Sequence, residues 1–159
     1  MVAIATAAHD FLSCRRIAVT GVSRTPANHG SNVVLDRLLE RGYDAIPVNP
    51  NAAEIGGRPC YPSLTAIPEG VEAVVIGTAP GRALDTMKEA VELGIGRVWM
   101  HRSMDAGSVS AEATVYGREH GVQVIDGGCP LMFDPVSDGG HKVMCRLFTW
   151  FGKVPRQVE

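Results

Sequence analysis

Five short apolar runs, rich in β-branched residues, recur along this chain of 159 residues and constrain its fold more than any other feature. Each run is continuous and does not alternate with polar residues, which is typical of strands covered on both faces of a parallel sheet. The runs are RIAVTG, YDAIPV, EAVVIG, RVWM and VQVI. Together they predict a sheet of five strands.

Amphipathic segments separate several of these runs. Three of the segments place apolar side chains about one helical turn apart: GSNVVLDRLLERG, PGRALDTMKEAVELG and, more weakly, SVSAEATVYGREHG. Each ends in a glycine that can close a helix in the left-handed conformation, namely Gly42, Gly94 and Gly121. Strands that alternate with helices predict an α/β fold, a Rossmann-like doubly wound parallel sheet with right-handed crossovers.

The link after the second strand, NAAEIGGRPCYPSLTAIPEG, contains too many prolines and glycines for a full helix. It predicts an irregular crossover with a turn of helix near residues 63–67. The length and composition of the chain are those of one ordinary globular domain. We therefore expect a single domain over residues 1–159, with a core at about 16–130 and a C-terminal helical extension at about 137–152.

The last segment, DGGHKVMCRLFTWFGK, predicts a terminal helix with an unusually broad apolar stripe. Val143, Leu147 and Phe151 share one face, and Met144 and Phe148 lie beside them. We expect this helix to pack on the core of its own chain. The alternative is a subunit contact in a homodimer.

Composition argues against several classes of protein. The formal net charge is −2 and the sequence pI is about 6.2, so no basic field would attract nucleic acid. No apolar run approaches the ~20 residues of a membrane span, and the N-terminal segment lacks the basic residues of a signal peptide. The four cysteines are scattered without a CxxC pair. We expect a cytoplasmic protein with neither a nucleic-acid nor a membrane partner.

Ligands of open parallel sheets bind where the strands end. The first strand ends at Gly21, which has no β-carbon to obstruct a ligand, and Ser23 follows with a hydroxyl. Arg24 adds a permanent cation that can hold a phosphate through two hydrogen bonds. The next helix begins near Gly30, where free amides favour an anion. This first turn predicts a phosphorylated ligand.

The end of the second strand distinguishes between nucleotides. NAD-binding units carry a carboxylate there for the ribose, whereas this chain has Val-Asn-Pro-Asn at residues 48–51. The nearest arginine that an NADP site could use, Arg58, lies in the irregular crossover. The glycines, at Gly21 and then Gly30, also depart from the G-x-G-x-x-G spacing. These residues disfavour a dinucleotide.

Several motifs resemble those of the small, stand-alone CoA-binding proteins, whose domain is similar to the N-terminal CoA-binding domain of the succinyl-CoA synthetase α subunit. They are the G-x-S-R turn, the IPVNP strand end, the G-x-P-x-Y-x-S-L crossover and a Cys-Pro pair at residues 129–130. The resemblance covers about residues 16–130, and the combination is more specific than any single motif.

The resemblance implies a Rossmann-like domain that holds CoA or an acyl-CoA across the ends of its strands. The first turn would contact the phosphates, and the end of the second strand would border the adenosine. The turn after the third strand would line the pantetheine path, and the end of the fourth strand would lie further along. The implied contacts are Gly21, Val22, Ser23, Arg24, Asn49, Pro50, Thr78, Ala79, Pro80, Met100 and His101.

Few residues are candidates for catalysis. The synthetases that contain such a domain need a phosphohistidine on a further domain and a partner subunit, so we expect a non-catalytic or regulatory binding protein. Acid–base chemistry would fall to His29, His101 or His141, and thiol chemistry to Cys129. Cys129, His141 and Cys145 lack an evident fourth zinc ligand, so we expect no metal.

Two alternatives remain from the sequence. One is an enzyme, either an NAD(P)-dependent oxidoreductase or a CoA-processing enzyme that uses Cys129 or His101. The other is an interaction protein that has the fold without a ligand and dimerises through its last helix.

Overall fold

A computed structural model describes residues 1–25, 30–102 and 107–159. Its main sheet has five parallel strands, and the five predicted runs supply them. They are β1 Arg16–Thr20, β2 Asp44–Val48, β3 Ala73–Ile76, β4 Arg97–Met100 and β5 Gln123–Asp126. The order across the sheet is β2-β1-β3-β4-β5. The interior positions of all five strands are buried, which explains their uninterrupted apolar sequences.

Helices cover both faces of this sheet. They are α1 Ile4–Ser13, α2 Gly30–Glu40, α3 Pro80–Glu92, α4 Ala111–Glu119 and α5 Gly139–Trp150. One apolar core lies between the sheet and α1, α2 and α5, and a second lies between the sheet and α3 and α4. This arrangement confirms the predicted Rossmann-like α/β fold. Among the described residues, no helix is long and apolar enough to cross a membrane.

The N-terminal helix α1 was not predicted. It is short, and no side chain caps its start at Ala3, so the usual signal of a helix N-terminus is missing. Its buried residues nevertheless include Phe11 and Leu12, which join the core under α2. The two-residue strands Val2–Ala3 and Gln157–Val158 pair antiparallel and bring the ends of the chain together.

The link between β2 and β3 is irregular, as predicted. One hydrogen-bonded turn lies in the predicted segment at residues 64–67, where Ile67 N–H donates to the Leu64 carbonyl at 3.1 Å, and it does not extend into a helix. A hairpin of two-residue strands, Glu54–Ile55 and Arg58–Pro59, precedes this turn. The glycines predicted to end helices all have the required positive φ angle: 79° at Gly42, 71° at Gly94 and 78° at Gly121.

The terminal helix α5 forms as predicted and packs on the core through one side of its broad apolar stripe. Met144, Cys145 and Phe148 contact the core, whereas Val143 and Leu147 are exposed. Since α5 is apolar over most of its circumference, its pattern did not reveal which face the core would cover. The Met144 and Phe148 side of the stripe packs on the core of its own chain, and the Val143 and Leu147 side stays exposed.

A charged cluster holds the start of α5 against α2. Asp138 accepts a hydrogen bond from the His141 backbone N–H at 2.9 Å, and Arg37 of α2 binds its other oxygen at 2.8 Å. The hydrogen bonds from His141 and the ion pair with Arg37 hold the pKa of the Asp138 carboxyl well below its usual range. Asp138 is therefore both the N-cap of α5 and its link to the neighbouring helix.

We expect acid to loosen α5 through this carboxylate. Because the folded pKa of Asp138 is lowered, its stabilising contribution is complete above the unfolded pKa of about 3.9 and is lost as the pH falls further. Hydrogen exchange of residues 139–150, corrected for the intrinsic pH dependence, should show protection that falls on acidification. D138A should show low protection at every pH, and D138N, which keeps the cap, should lie between. Equal protection in D138A and the unmutated protein would contradict this role.

Candidate functional site

The sheet reverses its direction of growth between β1 and β3. The connection after β1 leads to β2 on one side, and the connection after β3 leads to β4 on the other, so these two connections leave the centre of the sheet in opposite directions. In open α/β sheets, the crevice at such a point lies outside the carboxyl ends of the strands and is where ligands bind. The first turn and the turn after β3 therefore face one crevice.

Two glycines let these turns approach each other closely. Gly21 has a φ angle of 73°, and a β-carbon there would overlap the Gly77 carbonyl and lie 2.6 Å from the Thr78 amide nitrogen. A β-carbon on Gly77 would overlap the Ser31 hydroxyl and lie 2.6 Å from the Thr20 carbonyl oxygen. Neither position has room for a side chain, so the backbones themselves form the floor of the crevice.

Asn32, a buried residue in the first turn of α2, fixes the first turn in place. Its Oδ1 accepts a hydrogen bond from the Ser23 amide at 2.8 Å, and its Nδ2 donates to the Ser23 carbonyl at 2.9 Å. The Ser23 hydroxyl in turn accepts a hydrogen bond from the Thr25 amide at 3.1 Å. Asn32 was not predicted as a site residue, because nothing in the local pattern indicates that its amide would reach back to Ser23.

Asn49 connects the end of β2 to the same turn. Its Nδ2 donates to the Val22 carbonyl at 2.8 Å, and its Oδ1 accepts from the Asn51 amide at 2.8 Å. The side-chain amide is thus used by the protein backbone on both sides. Asn49 shapes the rim of the crevice, and its amide group is already engaged there.

The crevice opens into a cleft of about 500 Å³. Seven of the eleven implied contacts line it, namely Gly21, Val22, Ser23, Asn49, Pro50, Thr78 and Ala79. Its far wall comes from α3 and the irregular crossover and had not been selected: Pro62, Ser63, Leu64, Arg82, Asp85, Thr86 and Glu89. The four α3 residues follow an i, i+3, i+4, i+7 spacing, so a polar helical stripe was present in the sequence as a signal.

The α3 wall brings both a cation and free hydrogen-bonding groups to the cleft. Arg82 is exposed in the first turn of α3, and no side-chain hydrogen bond caps that helix at Ala79. The Thr78 hydroxyl is buried and has no hydrogen-bond partner among the residues that the structure describes. Glu89 is already engaged, since it accepts hydrogen bonds from the Thr65 amide at 2.8 Å and the Thr65 hydroxyl at 2.7 Å.

The other four implied contacts do not line the cleft. Arg24 is exposed next to Ser23, and Pro80 is the first residue of α3. The Met100 side chain is completely buried in the core under α3 and α4. His101 is buried as well, and its amide donates to the Ile76 carbonyl at 2.9 Å. The first turn is described up to Thr25 and the chain resumes at Gly30, so His29 lies outside the described residues.

A second cavity of about 150 Å³ lies between α2 and α5. The candidate residues His101, Cys129 and His141 line it, with Val33, Val34, Leu131 and Met144 nearby. Burial raises the pKa of the Cys129 thiol to about 12, so it stays protonated at neutral pH. Within the described ranges, no three His, Cys, Asp or Glu side chains are grouped so that they could hold a metal ion.

Comparison with known proteins gave matches in families, sequences and structures. Residues 15–135 match a family model described as a CoA binding domain. The ADP-forming acetate–CoA ligase II of Archaeoglobus fulgidus is 35% identical over 88 residues, which are 54% of this chain and 13% of the ligase. A hypothetical protein from Pyrococcus horikoshii OT3 is 31% identical with a TM-score of 0.71, over 78% of this chain and 84% of its own.

A larger enzyme contains a similar fold. The apo form of the dinucleotide-forming acetyl-coenzyme A synthetase 1 of Candidatus Korarchaeum cryptofilum is 25% identical with a TM-score of 0.60, over 72% of this chain and 26% of that enzyme. This chain therefore spans a small part of the ligase and of the synthetase, and most of the archaeal hypothetical protein.

Proposed function

Since this chain belongs to the CoA binding domain family, we propose that its cleft binds CoA or an acyl-CoA and holds the phosphates on the first strand–helix turn. The observation that carries this proposal is the cleft at the point where the sheet reverses, with Gly21 and Gly77 exposing backbone on its floor. Its volume of about 500 Å³ is within the range of small-molecule sites.

Two arginines favour a ligand with several phosphates. Arg24 follows the first turn, and Arg82 stands on the opposite wall at the start of α3. The uncapped start of α3 adds the positive end of a helix dipole. CoA carries a diphosphate and a separate 3′-phosphate, so a cleft with one arginine on its α3 wall and a second beside its first turn suits CoA better than a ligand with one phosphate.

The same walls argue against NAD. An NAD site holds the ribose with a carboxylate at the end of the second strand. That position is Asn49, and its amide is committed to the Val22 carbonyl and the Asn51 amide. The cleft carboxylate Asp85 comes from α3 instead, one turn beyond Arg82. For NADP, Arg58 would be needed, and it lines a separate shallow pocket beside Asp44 and Tyr61.

The burial and position of the residues that catalysis would need support a binding role without chemistry. The Cys129 thiol is buried, has a pKa raised to about 12 and lines the second cavity, not the cleft. His101 also lines that cavity and lies outside the cleft. We propose that the protein binds its ligand for sequestration or regulation, and that any turnover of acyl-CoA takes place elsewhere.

Calorimetric titration with CoA, dephospho-CoA, NAD and NADP tests this function. We expect CoA to bind, R24A and R82A each to bind it about tenfold more weakly because a charge-assisted hydrogen bond to phosphate is lost, and dephospho-CoA to bind more weakly than CoA. R58A is the matched control, since it removes a cation outside the cleft and should leave the affinity unchanged. Tight NAD binding without any CoA binding would overturn the proposal.

A further inference from the structure

An apolar strip on α5 and the adjacent α2 stays uncovered. Val33 of α2 is 44% exposed, and Val143, Leu147, Trp150 and Phe151 at α5 are 59%, 46%, 79% and 72% exposed. Together they present roughly 500 Å² of apolar side chain, which is near the upper end of what monomeric proteins show. Isolated exposed residues need no explanation, but an apolar patch of this size is often a functional surface.

The strip is presented on a firmly held surface. Phe148 and Met144 are partly buried and pack α5 against the core on another side of the helix. The two helices lie side by side and antiparallel: Arg37, near the end of α2, binds Asp138 just before α5, while Val33, near the start of α2, shares a cavity with Met144 further along α5. Binding of a partner to this face would therefore cost little conformational entropy.

Charges of opposite sign border the strip on its two edges. Successive residues of a helix are 100° apart, so Lys142 and Arg146 lie on the side of α5 away from α2. By the same geometry, Asp36 and Glu40 lie on the side of α2 away from α5, and all four side chains are exposed. Lys142 already binds Asp134 and Glu40 already binds Arg37, whereas Arg146 and Asp36 form no ion pair within the described residues.

A surface with one basic and one acidic edge is complementary to itself. A two-fold axis parallel to the helices turns the face over, so that the basic edge of each copy meets the acidic edge of the other. An axis across the helices would instead place both basic edges together, which is unfavourable because residues 139–158 contain no Asp or Glu to compensate.

We propose that this face of α2 and α5 is the interface of a homodimer whose two-fold axis runs along the helices. The apolar strip forms the centre, and the basic edge of each copy, with Lys142 and Arg146, lies along the acidic edge of the other, with Asp36 and Glu40. A standard interface buries about 800 Å² on each partner, and the strip with its charged edges is large enough for one. The cleft lies at the ends of the strands and stays open in this arrangement.

Sedimentation equilibrium on the full chain tests the dimer. At about 100 µM, the mass should be twice the 16.9 kDa of one chain, and L147D should shift it to one chain at unchanged circular dichroism. V115D is the matched control, because Val115 is 55% exposed on α4, and it should leave the dimer intact. R146E and D36K should each weaken the dimer at least tenfold, because each places like charges on two edges that meet.

Three results would overturn this interface. One is a single-chain mass for the unmutated protein at that concentration. Another is a dimer that L147D leaves unchanged. The third is a dimer that R146E strengthens, which would indicate that the two basic edges meet. If the single chain instead binds vesicles of anionic lipid, the strip is a membrane-contact surface and the dimer proposal is wrong.

Discussion

Replacement of Gly21 by alanine should abolish tight CoA binding and lower the free energy of unfolding by about 3 to 5 kcal/mol. Two effects add. The left-handed φ angle of 73° costs about 1 to 2 kcal/mol with any β-carbon, and the new β-carbon would overlap the Gly77 carbonyl, which belongs to backbone and cannot swing aside. To relieve the overlap, the first turn must move away from the turn after β3 and so widen the floor of the cleft.

Gly94→Ala separates the two effects. Gly94 has nearly the same φ angle, 71°, but a β-carbon there would meet no atom within 4 Å. We expect G94A to cost about 1 kcal/mol and to leave CoA affinity unchanged. Urea denaturation and calorimetry on both variants measure the difference. Equal losses of stability in G21A and G94A would show that the close approach of the two turns does not contribute to the free energy of unfolding.

Replacement of Asn32 by aspartate should damage the same turn in a manner that depends on pH. The introduced carboxylate can still accept from the Ser23 amide, but its second oxygen would face the Ser23 carbonyl, where Nδ2 now donates. We expect a loss of about 2 kcal/mol at pH 7, since a buried charge without a donor costs about 3 and the dipole of α2 offsets up to about 1. The added negative charge should also repel the phosphates and weaken CoA binding at least tenfold.

The pH dependence gives the sharper test. Burial and the facing carbonyl raise the folded pKa of the introduced carboxyl above the unfolded value of about 3.9. The protonated form can donate to the Ser23 carbonyl, so the loss should vanish below about pH 3.9 and grow as the pH rises through the folded pKa. N32A is the control: its loss relative to the unmutated protein should not change with pH. A loss in N32D that is flat from pH 4 to pH 8 would contradict the assigned hydrogen bonds.

Much of the fold was predictable because buried strands and amphipathic helices place their apolar residues in different sequence patterns. The five strands were identified from runs such as EAVVIG, and the helix ends from Gly42, Gly94 and Gly121, each by a local cause. The short helix α1 was missed since it has no capping side chain, and residues 64–67 formed one turn because prolines on both sides prevent a longer helix.

The candidate site was predictable in part. Residues that directly follow strands reach the same edge of a parallel sheet, so the roles of Gly21, Ser23 and Thr78 in the cleft follow from position alone. Arg82 and the rest of the α3 wall depend on how that helix faces the crossover. Met100 was placed near the ligand by resemblance, but the alternation of side chains along β4 turns it into the core.

The class of fold, the edge of the sheet where the cleft lies and the absence of an NAD-type carboxylate after the second strand could all be read from the sequence, because each depends on residues adjacent in the chain. Three other features are visible only in the folded structure. They are the contact of Gly21 with Gly77, the hydrogen bonds between the Asn32 side chain and the Ser23 backbone, and the face of α5 that remains uncovered. The first two depend on contacts between residues that are distant in sequence, and the third depends on which apolar face of one helix packs on the core. A local sequence pattern carries no information about such contacts or about such a choice of face.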